Sequence, residues 1–126
     1  MIRRLAAVFA LALPAWFAPL PAPALDCANA TTTADMLACA DEELRTADTG
    51  LNKSYGAFKK GLDAEGAKLL LEAQRAWIKF RDGNCAVEAD QVRGGSLAPL
   101  FQLSCLAEMT KTRADQLDKQ AKERGN

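Results

Sequence analysis

Leu37, Leu44, Leu51 and Phe58 recur every seven residues, with Ala40, Ala47, Tyr55 and Leu62 beside them. That spacing lays one apolar stripe along a helix of roughly 30 residues, about 45 Å at 1.5 Å per residue. Thr32 is placed to cap its start, with Asp35 three residues on as in a capping box, and Gly61 and Asp63 mark the break. Asp63 is the natural N-cap of a second helix, which puts Leu70, Leu71, Trp77, Ile78 and Cys85 on one broad face. Gly83-Asn84 weakens its last turns and Gly94-Gly95 ends the segment. Ser96 is then placed to cap a third helix, whose early Pro99 falls where first-turn amides have no intrahelical partner. The face of this helix is Leu103, Leu106, Thr110, Arg113 and Leu117, and the polar tail from Lys119 to Asn126 is expected to fray. No stretch alternates with the period of two that a strand requires. The pattern therefore predicts an all-α protein, a three-helix bundle whose short connections make successive helices antiparallel.

The first residues have a different character. Arg3 and Arg4 precede the apolar run Leu5 to Phe17, and Ala22-Pro23-Ala24 is a small-residue cleavage site. Residues 1–24 read as a signal peptide, leaving 25–126 as one small domain in the periplasm or secreted. The apolar run is too short and too broken by proline for a membrane span of about 20 residues. Asp26 stands directly before Cys27, where a lipid-anchored protein needs a small residue, so no membrane anchor is expected. The whole chain has 16 basic and 16 acidic residues; losing Arg3 and Arg4 leaves 14 against 16, a formal charge of −2. That balance carries no electrostatic case for nucleic acid.

All four cysteines (Cys27, Cys39, Cys85, Cys105) follow the cleavage site. An even number in a small exported domain predicts two disulfides stapling the bundle. Cys85 and Cys105 are nearly equidistant from Gly94-Gly95, which favours Cys85–Cys105 with Cys27–Cys39. Cys39 and Cys85 are likewise equidistant from the first turn, so Cys39–Cys85 with Cys27–Cys105 stays open. The chain has no histidine and no CxxC pair, so its composition suits neither a zinc site nor dithiol redox chemistry. No cofactor is implied.

Several polar residues interrupt the apolar stripes. Counting heights from the turns brings Asp48, Asn52, Gln74, Arg81 and Arg113 toward mid-bundle, near Tyr55 and Trp77. A buried arginine needs a carboxylate and further hydrogen bonds to offset its desolvation, and this set holds both. Its structural role is to fix helix register; a ligand site built from the same groups is the alternative. The connection Arg93-Gly94-Gly95-Ser96 is the candidate target-binding loop, two donors flanking a pair of glycines. Ordinary helix-linking chemistry accounts for the same residue types. Catalysis finds no support: no histidine serves a nucleophile, the acids Asp41, Glu42, Glu43, Glu72 and Glu88 fall on outer faces, and Gly94-Gly95-Ser96 lacks the spacing and lysine of a phosphate loop.

The fixed offsets run from Asp26-Cys27 and Cys39 through Asp48-x-x-Leu51-Asn52-x-x-Tyr55 to Gln74-x-x-Trp77-x-x-x-Arg81-Asp82-x-x-Cys85. They continue with Gly94-Gly95-Ser96, Cys105-Leu106, Thr110-x-x-Arg113 and Leu117. Together they resemble the LprI-like lysozyme-inhibitor N-terminal domain, over essentially the whole chain after the leader. The resemblance implies a binding protein that occludes the cleft of a lysozyme-like muramidase. An envelope interaction or adaptor module without a hydrolase target is the second reading, and a small-ligand carrier using the mid-bundle seam the third. The pattern specifies no oligomeric state.

Overall fold

The computed structural model describes residues 24–125. A single 3₁₀ turn, Cys27–Asn29, leads into α1 (Thr33–Lys60), α2 (Ala64–Asp90) and α3 (Ala98–Arg124). The expected leader lies outside the described residues, apart from its last position.

Local chemistry accounts for most helix ends. The Asp35 amide donates to Thr32 Oγ1 at 3.1 Å, and the Thr32 hydroxyl donates to the Asp35 carboxylate at 2.7 Å. This contact joins the two side chains, so it differs from the reciprocal box, in which the acid reaches back to the cap's own amide. Asp63 Oδ1 accepts from the Gly66 amide at 2.8 Å and caps α2. The third start differs from expectation. α3 begins at Ala98 behind Leu97, no side chain caps it, and Ser96 stays outside the helix. Pro99, in the first turn, sits where the missing N–H costs nothing. At its other end α3 continues to Arg124, through most of the polar tail, with Lys122 and Arg124 in the last turn, where cations suit the carbonyl end of the helix dipole.

The helices do not pack equally. α1 lies mainly against α3, α2 lies against α3, and α1 and α2 scarcely meet. Small side chains explain the first pairing. Ala40 and Ser54 on α1 and Ala107, Thr110 and Ala114 on α3 are all buried, and side chains this short let two backbones approach closely. Leu51 and Phe58 form the core with Leu70, Ala114 and Leu117, and Tyr55, Leu62, Trp77 and Ala121 pack around it. Low-numbered residues of α1 share a groove with the start of α3, and high-numbered ones share the core with its end, so these two helices run parallel. α2 returns antiparallel between their ends.

The disulfides are Cys27–Cys39 and Cys85–Cys105, with Cα separations of 5.6 and 5.5 Å, so the favoured pairing holds and the alternative falls. The face expected of α2 is narrower than its sequence implies. Leu70 and Cys85 are buried, but Leu71 and Ile78 are 40% and 39% exposed, because only α3 covers this helix closely.

The α1–α3 seam should be the point least tolerant of added volume. Ala114→Leu is expected to destabilise by about 1–3 kcal/mol through overpacking. Leu117→Ala, which empties a fully buried site, should cost about 2–5 kcal/mol. Leu69→Ala, on an exposed position, should stay within about 0.5 kcal/mol. Urea unfolding of the oxidised protein measures all three, and an Ala114→Leu variant as stable as wild type would contradict the close seam.

Candidate functional site

Trp77, half-buried on α2, is the centre of the polar cluster. The Arg81 guanidinium lies 5.3 Å from its ring centroid and that of Arg113 5.9 Å, so two cations share one indole. Arg81 donates from Nη1 to Thr110 Oγ1 at 3.0 Å and from Nε to Asp82 Oδ1 at 2.9 Å. Its ion pair with Asp48 is longer, 3.5 Å. Arg113 donates from Nε to Gln74 Oε1 at 3.2 Å and from Nη1 to Gln116 Oε1 at 3.4 Å. Burial pushes the Arg113 guanidinium below its usual pKa, since desolvation penalises the charged form. Among the described residues, no buried side-chain polar atom lacks a partner.

The cluster therefore joins Asp48, Gln74, Trp77, Arg81 and Arg113, but not every expected member. Asn52 is exposed on α1, and Tyr55 packs against the core. The Asp48 side chain is half exposed (49%), whereas that of Arg81 is 15% exposed, so their pair straddles the surface and is not a buried bridge. Thr110, Asp82 and Gln116 were not expected. Thr110 stood in the sequence on the inner face of α3 and in the Thr110-x-x-Arg113 offset, with no partner assigned to it; fully buried, it offers the oxygen that Arg81 needs.

The loop between α2 and α3 is built differently. Gly94 has φ +75°, a left-handed conformation that side chains resist, and a Cβ on Gly95 would lie 3.0 Å from the Val92 carbonyl oxygen. Arg93 grips Asp90 with Nε and Nη2, at 2.6 and 2.7 Å. That bond raises the Arg93 pKa. Both side chains are exposed, and so is Ser96. The Cys85–Cys105 bridge ties the helices on either side, with Met109 Sδ 3.7 and 3.9 Å from its sulfurs. Among the described residues no group of three metal-ligating side chains forms, and no helix is long and apolar enough to cross a membrane.

Fold and cluster together define a small, disulfide-stapled, three-helix protein with a part-buried polar cluster around Trp77. The chain belongs to the lysozyme inhibitor LprI family, whose model matches residues 26–117. It is 37% identical over 108 residues to the uncharacterised protein R02472 of Rhizobium meliloti, covering 75% of this chain and 78% of that one. It is 33% identical over 94 residues to the uncharacterised protein YecT of Escherichia coli, covering 63% and 58%. The crystal structure of a DUF1311 family protein from Pseudomonas putida shares the fold, with TM-score 0.64 and 22% identity over 68% of this chain and 90% of that one.

Arg81 should matter more than Asp48. Arg81→Ala strands the Thr110 hydroxyl in the core and uncovers Trp77, an expected loss of about 1–3 kcal/mol. Asp48→Ala removes a half-exposed pair and should cost about 1 kcal/mol or less. A double-mutant cycle of Arg81→Ala with Thr110→Val is expected to show coupling of about 1 kcal/mol, and strict additivity would mean the two groups do not interact.

Proposed function

We propose that the chain is an exported inhibitor of a lysozyme-like muramidase, acting by binding. In this reading residues 1–24 are removed as a leader and residues 25–126 fold as one domain. The observation that carries it is the family match across residues 26–117. Two disulfides agree with an oxidising compartment.

The loop Arg93-Gly94-Gly95-Ser96 is the proposed contact with the target's cleft. Such clefts hold catalytic carboxylates. Arg93 already presents its guanidinium edge to a carboxylate, that of Asp90, so entry exchanges one acid for another. The nearby bridge lowers the cost of ordering the loop on binding. A cell-turbidity assay with purified, oxidised protein tests this. Wild type should slow lysis at micromolar concentration. Arg93→Ala should weaken inhibition about tenfold or more, a loss of about 1.4 kcal/mol in binding. Ser96 caps nothing, so Ser96→Ala should leave the melting temperature unchanged while it too weakens inhibition. Failure to slow any lysozyme removes the inhibitor reading; full inhibition by Arg93→Ala removes only the loop.

One observation favours the envelope-adaptor reading. Positions 69, 73, 76, 80, 83 and 87 of α2 alternate by four and three residues, are all apolar or glycine, and are all exposed. Leu69, Phe80 and Val87 on this row are 57%, 62% and 72% exposed, the kind of uncovered seam that receives another helix.

A further inference from the structure

Along the first halves of α1 and α3 runs an open groove of about 600 Å³. It follows from the small residues of that seam: Ala47 and Ala107 line it where longer side chains would fill it, and the Cys27–Cys39 bridge closes one part. Carboxylates stand on both walls, Glu42 and Glu43 from α1 and Glu108 from α3. Their neutralisation is incomplete. Glu42 is 3.5 Å from Arg45, which holds Asp41 more closely at 2.6 Å. Glu43 and Glu108 enter none of the ion pairs among the described residues. Lys111, the one cation lining the groove among the described residues, points an ammonium to Asp115 at 3.8 Å.

We propose that this groove docks a basic, apolar-anchored segment of a protein partner. An aliphatic side chain lies over Ala47 and Ala107, and lysines or arginines on either side of it meet Glu43 and Glu108. The charge excess selects the sign of the partner, and the apolar floor selects a segment with a hydrophobic residue between its cations. Neither the loop Arg93–Ser96 nor inhibition of a hydrolase enters the argument, so the groove goes beyond the function proposed above.

The probe is an acetylated, amidated Lys-Leu-Lys-Leu-Lys peptide titrated into the ¹⁵N-labelled, oxidised full chain after leader removal. Amide shifts are expected at Thr46, Ala47, Ser104 and Ala107, saturating below about 1 mM and weakening as salt is raised. Replacing the leucines by serine should weaken binding about tenfold or more, a difference of about 1.4 kcal/mol. The double variant Glu43→Gln/Glu108→Gln should lose a similar factor. Ser104→Leu, at an exposed position on the groove wall, should block it while leaving the rest of the spectrum in place. Shifts that fall outside the groove, equal binding of the serine peptide, or binding unchanged in both variants would overturn the proposal. Because no lysozyme is present in the titration, a failed lysis assay leaves the groove standing, and a silent titration leaves inhibition standing.

Discussion

Everything in this bundle depends on how closely α1 and α3 approach. Small residues at seven-residue spacing, Ala40, Ala47 and Ser54 on one helix and Ala107 and Ala114 on the other, hold no side chain long enough to keep the backbones apart. Leu51, Phe58 and Leu117 then fill the core beside the seam. Two helices joined through a third, with short turns at both ends, can only run parallel, and the seven-residue repeat on both keeps one face of each turned inward along the contact. α2 is thereby the outer member. It reaches α1 through bulk, with Trp77 and Tyr55 packed over the core and Arg81 extending to Asp48.

That arrangement explains why arginines sit where a bundle usually has leucines. The space beside α2 is wide enough for a guanidinium and only partly open to solvent. Trp77 supplies a flat apolar surface that still attracts positive charge, and Thr110 and Gln74 take hydrogen bonds from its two cations. Such groups contribute less to net stability than a well-packed apolar pair. A shift of α2 by one residue would part Arg81 from Thr110 and Arg113 from Gln74 together.

Helix number and turn positions were legible in the sequence because each rests on local offsets: seven-residue repeats and Asp63 after Gly61. The cysteine offsets favoured the observed pairing but fitted Cys39–Cys85 equally, and only the structure separates the two. What was not legible depends on which helix covers which. Leu71 and Ile78 look as apolar as Leu70, and only the weak α1–α2 contact shows why they remain exposed. Asn52 has the offsets of a network member, one turn on from Asp48, but its side chain stays exposed on α1 and joins none of the cluster's hydrogen bonds among the described residues. Ser96 has the chemistry of a cap, yet the turn through Gly94 and Gly95 carries the chain two residues further before α3 begins. Thr110 was visible in the sequence but without a role, because a hydroxyl's value shows only once its partner, on another helix, is known.

The two disulfides close loops spanning 12 and 20 residues, and neither crosses from α1 to α3. Each removes disorder from the unfolded chain locally, about 3 kcal/mol apiece by loop-closure entropy. The principal seam joins residues roughly 60 positions apart, and closing that distance is left to diffusion of the chain. Oxidation therefore fixes the bundle's two margins, the lead-in to α1 and the α2–α3 hairpin, and leaves its central interface free to assemble or come apart with every covalent bond intact. An oxidised population with native bridges is consequently no proof of a folded one.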